Sequence, residues 1–178
     1  MDEEKVILCF DIEADGLLDT ITKMHCLCTE DVVSGDKQSY YESTLDDCVA
    51  KIDSADVLMG HNIIGYDFGV LDLFYTWKPH CKVIDTLVWS QVLNPDRQLP
   101  KGCPTSKLNP LTGKLEVITP HSVAAWGYRV ARAKPEHFDW TTFTPAMLHR
   151  CEEDTSIQIL IFKALMEEAE MTLEEAIK

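Results

Sequence analysis

The sequence predicts an α/β fold built on a central mixed sheet, and three observations carry it. Short β-rich runs fill the first third, strands then alternate with helical periods, and the last part closes on one long helix with an apolar stripe. Lys5 to Ile12 reads as the first strand because VILCF is an unbroken apolar run. Ile21 to Glu30 and Gln38 to Glu42 follow, with Asp-Gly and Ser-Gly-Asp turn chemistry between, which predicts an antiparallel meander. A short helix is expected from Leu45 to Ser54, capped by Thr44, with Leu45, Val49 and Ile52 on one face.

The strand Asp56 to His61 comes next, then a loop and a helix from about Tyr66 to Trp77. Cys81 to Ile84 gives another strand, and Asp85 and Thr86 can cap a helix running to Leu93. Between Asn94 and Thr119, four prolines and two glycines mark a long irregular connection, read as flexible over about residues 95–119. Pro120 to Val130 resumes as helix. The last helix starts near Pro145 with Thr144 as N-cap and reaches about Glu170, its acidic tail forming a solvated face.

Within 178 residues there is room for one full hydrophobic core and no break in composition, so residues 1–178 are read as one domain. The start, MDEEKVILCF, lacks the basic region of a signal peptide, and its apolar run is too short for a membrane span. A soluble protein of the cytoplasm is expected. Seven cysteines without CxxC spacing fit reduced thiols, several of them in apolar runs where a thiol acts as a small hydrophobe. His25-Cys26-Leu27-Cys28 alternates across a strand and has no second Cys/His pair nearby, so core packing is preferred to zinc.

The formal charge of −14 is unfavourable for binding phosphates. The segment Arg97 to Lys134 differs, with seven basic residues against Glu116, a net +6 that reads as a nucleic-acid guide or an ordinary solvated loop.

Asp11 and Glu13 share one face at the end of the first strand, where two adjacent carboxylates repel unless a cation lies between them. Oxygen ligands of this kind suit Mg²⁺ or Mn²⁺. Asp154 falls on or beside the apolar stripe of the last helix, where it needs either a cation or an ion pair with Arg150, four residues earlier. Asp67 enters the first turn of a helix, which the helix dipole alone would favour. Asp15, followed by Gly16, belongs to a turn.

Taken in order, Asp11-x-Glu13, then Asn62-x3-Tyr66-Asp67, then His149-x4-Asp154 resemble the three exonuclease motifs of the DnaQ-like (DEDD) 3′–5′ exonuclease superfamily. The sequence is most similar to the proofreading domains of family-A DNA polymerases from T-odd-type phages, through DIEADGLLDTITKMHCL, VIDTLVWSQVL and HSVAAWGYRV as well. The resemblance runs from about residue 7 to residue 166. It implies a ribonuclease-H-like fold with a central five-stranded sheet, and Asp11, Glu13, Asp67 and Asp154 as ligands of two divalent ions.

The activity it implies is release of 5′-monophosphates from a single-stranded or frayed DNA 3′ end, with a DNA polymerase as partner in cis or in trans. Asn62, Tyr66, Lys101, Lys107 and Arg129 are the expected substrate contacts. The sequence departs from the pattern at the general base. Phage relatives carry Tyr four residues before the last Asp, where this chain has Arg150, and His149 fits the spacing of the other branch. On an unbroken helix five residues turn about 140° away from Asp154, so His149 serves as base only if the helix bends or starts late. The competing readings are a 3′–5′ exoribonuclease of the oligoribonuclease kind, and an inactive interaction module that keeps the fold.

Overall fold

In the computed structural model, which describes residues 5–178, Ile7–Ala14 (β1) is buried on both faces and forms the centre of the main sheet. Leu8, Phe10 and Ile12 enter one core with Ile52, Val70, Leu71 and Trp77. Ile7 and Cys9 point the other way, into a second core with Met59, Ile159 and Phe162. β1 pairs antiparallel with Met24–Asp31 (β2), which pairs antiparallel with Lys37–Tyr41 (β3), giving the expected meander. On its other edge β1 runs parallel to Val57–Gly60 (β4), and β4 runs parallel to Lys82–Asp85 (β5). The strand order β3-β2-β1-β4-β5 is the mixed five-stranded sheet that the sequence predicts.

Most helices fall where their periodicity places them, and the differences have local causes. The segment after β3 is a 3₁₀ turn, Glu42–Asp47, followed by a short helix, Cys48–Asp53 (α1). Thr44 sits inside the 3₁₀ turn and donates to the Tyr41 carbonyl at 2.9 Å, so it is not the cap of the helix. Asp67–Tyr75 (α2) ends at Thr76, whose left-handed φ of 52° stops it. Thr86–Leu93 (α3) is capped by Asp85 as expected.

The stretch read as wholly irregular contains a two-stranded hairpin, Ser106–Leu108 (β6) and Leu115–Val117 (β7). Strands of three residues are too short to show a period, and the turn is set instead by Asn109, whose Oδ1 accepts from the Leu111 and Thr112 amides. Val123–Arg129 (α4) starts after Ser122, and Pro145–Glu168 (α5) follows the Thr144 cap. A last short helix, Leu173–Ala176 (α6), comes after it. Leu173, Ala176 and Ile177 pack on the second core, while Glu167, Glu168 and Glu170 are exposed, the solvated acidic face that the sequence predicts.

α5 lies across β1 and β2 and covers the face of β1 that carries Cys9 and Asp11. All seven cysteines are free, and Cys26 and Cys28 pack with Met147 and Cys151. Among the described residues no helix is long and apolar enough to cross a membrane.

Asp85 holds the end of the sheet to the loop beyond β4. Its Oδ1 accepts from the Asn62 and Leu87 amides, both at 2.9 Å, and its Oδ2 from the Ile64 amide at 3.1 Å. Asp85→Ala strands these donors and removes a helix cap, and destabilises the protein by about 2–4 kcal/mol. The midpoint of urea unfolding checks it; an unchanged midpoint would show that the loop is held elsewhere.

Candidate active site

Three elements bring the carboxylates together. Asp11 and Glu13 leave β1 on the face toward α5, just before a register shift between Glu13 and Ala14. α5 offers Asp154 from its inner side, and α2 brings Asp67 from its first turn. One oxygen each of Asp11, Glu13 and Asp154 lie within 4.8 Å of one another. Asp67 is tied to the same strand, because its Oδ1 accepts from the Ile12 amide at 3.0 Å. All four line a cavity of about 460 Å³, together with His61, Asn62, Tyr66, Lys107, Lys134 and Arg150.

This crowding has an electrostatic price. Burial, and then repulsion from Glu13, Asp154 and Asp67, holds the Asp11 carboxyl well above the ordinary range. Burial lifts Glu13 to about 7, even against the pull of the Arg150 guanidinium. Asp67 is raised by burial as well, although the Ile12 amide acts the other way. Among the described residues, buried Asp154 Oδ1 has no hydrogen-bond partner. An orphaned carboxylate oxygen amid an all-oxygen donor set fits a hard divalent cation such as Mg²⁺ or Mn²⁺.

Two side-chain cations also reach the carboxylates. Lys134 Nζ lies 2.5 Å from Asp154 Oδ2. Arg150 Nε donates to Glu13 Oε1 at 3.1 Å and stands 3.8 Å from Asp154 Oδ2. The guanidinium is fixed from two other directions. Its Nη1 donates to the Pro135 carbonyl at 3.0 Å, and its Cζ lies 4.9 Å from the Trp140 ring centre. The ion pair with Arg150 considered for Asp154 is thus present, and Asp154 Oδ1 stays unengaged among the described residues.

His149 is exposed, on an α5 that runs unbroken from Pro145 to Glu168, and it does not line the cavity. The condition for its acting as base is therefore not met: the helical turn points it away from Asp154. Lys101 is exposed and outside the cavity too. Arg129 is committed to structure, donating to the Pro120 and Gln98 carbonyls and stacking over buried Trp126. Lys107 does line the cavity, but pairs with Glu116 at 3.3 Å. Asn62 is exposed at the cavity wall with a left-handed φ of 66°, and Tyr66 donates its hydroxyl to the Gly16 carbonyl at 2.7 Å.

The +6 segment is therefore less free than its count implies. Arg97 pairs with Glu168, Arg132 with Glu153 and Lys134 with Asp154.

Sequence reasoning missed three residues at the site. Gln158 Nε2 donates to Asp11 Oδ1 at 2.7 Å, and its position four residues after Asp154 on the same helix face was the available signal. Lys134 lies in a loop and gave none. His61 follows directly on the end of β4, beside the tip of β1. Thr86 Oγ1 donates to the Gly60 carbonyl and is 2.9 Å from His61 Nδ1, so Nδ1 carries the imidazole proton; burial pulls that ring down to about 4.

No protein-family model matches the chain. The DNA-directed DNA polymerase of Enterobacteria phage T3 is 31% identical in an alignment 147 positions long that covers 75% of this chain and 20% of the polymerase. The DNA-directed DNA polymerase of Escherichia phage T7 is 31% identical in an alignment 143 positions long that covers 72% of this chain and 20% of the polymerase. The chain therefore spans about a fifth of the length of these curated relatives.

Among solved structures, Brucella melitensis NrnC bound to pGG superposes with a TM-score of 0.65 at 13% identity, covering 94% of this chain and 74% of that one. E. coli Exonuclease I in complex with a 5cy-dT13 oligonucleotide gives 0.54 at 12% identity, covering 93% and 41%. The sheet order and these superpositions define a ribonuclease-H-like exonuclease fold. Over about three quarters of its length the chain is homologous to a part of the phage T3 and T7 DNA polymerases.

Proposed function

We propose that this chain is a Mg²⁺- or Mn²⁺-dependent 3′–5′ exonuclease that removes nucleotides from single-stranded or frayed DNA 3′ ends and releases 5′-monophosphates. The meeting of Asp11, Glu13 and Asp154 beside Asp67 in one cavity carries this reading. A divalent ion bound there supplies charge neutralisation at the scissile phosphate and makes an attacking water more acidic. The chain's own residues do the rest. The four carboxylates hold the ion, Lys134 and Arg150 set positive charge at the cavity wall, and Asn62, Tyr66 and Lys107 border the strand's path. Arg150 takes no proton from water, because a guanidinium stays charged. The resemblance implies a pair of ions, whose ligands would here be shared with Arg150 and Lys134.

DNA as substrate is supported by the homology to two DNA polymerases. The same homology supports proofreading or end processing beside a polymerase, on the same chain or in trans, in the cytoplasm of a bacterium or of a phage's host. RNA is the second reading, since NrnC, the better superposition of the two, was solved with pGG. The test incubates 3′- and 5′-labelled DNA and RNA oligonucleotides with the protein in Mg²⁺, in Mn²⁺ and in chelator. Stepwise loss from the DNA 3′ end, abolished by chelator, is expected. Degradation of RNA alone would replace the substrate, and no degradation with either metal would remove the enzyme reading.

A further inference from the structure

The two side-chain cations at the cluster are held very differently. Arg150 is fixed from three sides, by Glu13, the Pro135 carbonyl and the Trp140 ring. Among the described residues the Lys134 ammonium has a single ion-pair partner, Asp154 Oδ2 at 2.5 Å, and its side chain is 21% exposed. The backbone that carries this lysine is anchored on both sides of it. Arg132 donates its amide to the Gly127 carbonyl at 2.9 Å and grips Glu153 of α5 through two bonds, both of 2.9 Å. Beyond the lysine, the Pro135 carbonyl accepts from Arg150 of α5 at 3.0 Å. Lys134 is thus a flexible stem with a charged tip, rising from a base that α5 clamps at both ends.

Such a tip has room to turn. Besides the carboxylate cavity, Lys134 lines a second cavity of about 430 Å³, walled by Pro104, Ile118, Tyr128 and Pro135 among others. Lys107 and Arg150 line both cavities as well, so the boundary between them is a row of positive charge. The charged groups around the amine are therefore Asp154, Arg150 and Lys107, with exposed Glu136 in the second cavity.

Electrostatics decides where the amine goes. A lysine that shares Asp154 with a divalent cation sets like charges side by side, and their repulsion weakens the hold on that cation. A phosphate in the cavity offers the same three donors a charged acceptor away from Asp154. We propose that Lys134 is a mobile charge, paired with Asp154 while the cluster holds no metal and turned onto the phosphate of the bound nucleotide once it does. This rests on the exonuclease reading above. Its consequence is coupling: the lysine opposes metal bound alone and favours metal and nucleotide together, so each raises the affinity for the other.

The test measures two affinities that should move in opposite directions. Mn²⁺ is titrated into the whole protein without nucleotide, and free Mn²⁺ is followed by its paramagnetic resonance signal. Thymidine 5′-monophosphate is then titrated calorimetrically at saturating Mn²⁺. Lys134→Met keeps the stem and loses the charge, so it binds Mn²⁺ about tenfold more tightly and the monophosphate about tenfold more weakly, the loss of one charge-assisted hydrogen bond. Lys134→Arg, which keeps the charge, moves both affinities back toward the wild type.

A lysine that only braces its loop would weaken both affinities when removed, and a bystander would change neither. Any pair of shifts other than tighter metal with weaker nucleotide overturns the inference and leaves the exonuclease reading standing. Wild-type protein that binds no Mn²⁺ would instead remove the metal centre and both readings with it. If Lys134→Met fails to fold, as judged by its circular dichroism, the wild type still decides through the magnetic resonance of isotope-labelled lysine Cε. The Lys134 signal, assigned by its loss in Lys134→Arg, should move on adding Mg²⁺ and again on adding the monophosphate; a signal that either addition leaves in place overturns the inference.

Discussion

Asp11→Asn lowers the rate of 3′-end hydrolysis on the order of 10³-fold or more while leaving the protein folded. Asp11 belongs to the trio whose oxygens meet within 4.8 Å, and it sits on the central strand of the sheet. Removing its charge takes away a third of the negative charge in that trio and an oxygen ligand of the cation. The fold should tolerate the change, because the Asn carbonyl still accepts from Gln158 Nε2. Without metal it should even gain stability, since burial and the neighbouring carboxylates already hold Asp11 toward its neutral form. Single-turnover rates on a labelled oligonucleotide, set beside thermal melts in chelator, separate the two effects. A variant that melts normally and cleaves normally would remove Asp11 from the chemistry, and with it the proposed function.

The parts of this molecule that could be read from sequence are those where one period or one cap decides the outcome. β1 showed itself through VILCF, Asp11 and Glu13 through the two-residue repeat of a strand, and α5 through Thr144 and Pro145. The alternatives for Asp154 were also visible, because Arg150 precedes it by one helical turn. What could not be read depends on contacts between distant residues. Lys134 meets Asp154 across twenty positions of loop and helix, and no local pattern encodes that approach. Arg129 illustrates the opposite error. Its charge suited a substrate contact, but stacking on Trp126 and two carbonyl acceptors make it a brace for the connection before α4. His149 is misleading because sequence spacing to Asp154 is not direction, and α5 is already helical from Pro145 and continues unbroken through both residues.

Glu13 should make the metal-free protein lose stability as the solution becomes more alkaline. Its ordinary carboxyl value of 4.5 is raised to about 7 in the folded chain, by burial first and with the repulsion of Asp154 added, both acting against Arg150. The folded state therefore holds a proton on Glu13 that the unfolded state releases. The resulting stability is complete below about pH 4.5 and is lost as pH rises through 7, an effect on the order of 3 kcal/mol. Asp11 and Asp67, also raised, act in the same direction. His61 opposes them below its unfolded value of 6.5, because burial keeps it neutral in the folded state. A mutant comparison cancels that contribution. In chelator, Glu13→Gln should be more stable than the wild type at pH 8 by roughly 2–3 kcal/mol and nearly equal to it at pH 4.5, since Gln imitates the protonated acid. Added Mn²⁺ should narrow or reverse the gap at pH 8, because the ion stabilises only the chain that can ligate it fully. Urea unfolding at the two pH values, with and without metal, gives all four numbers. If Glu13→Gln is instead destabilised at pH 8 in chelator, the Glu13–Arg150 pair outweighs the burial of its charges, and the cluster is an ion-pair lock that metal must break rather than a strained site that metal relaxes.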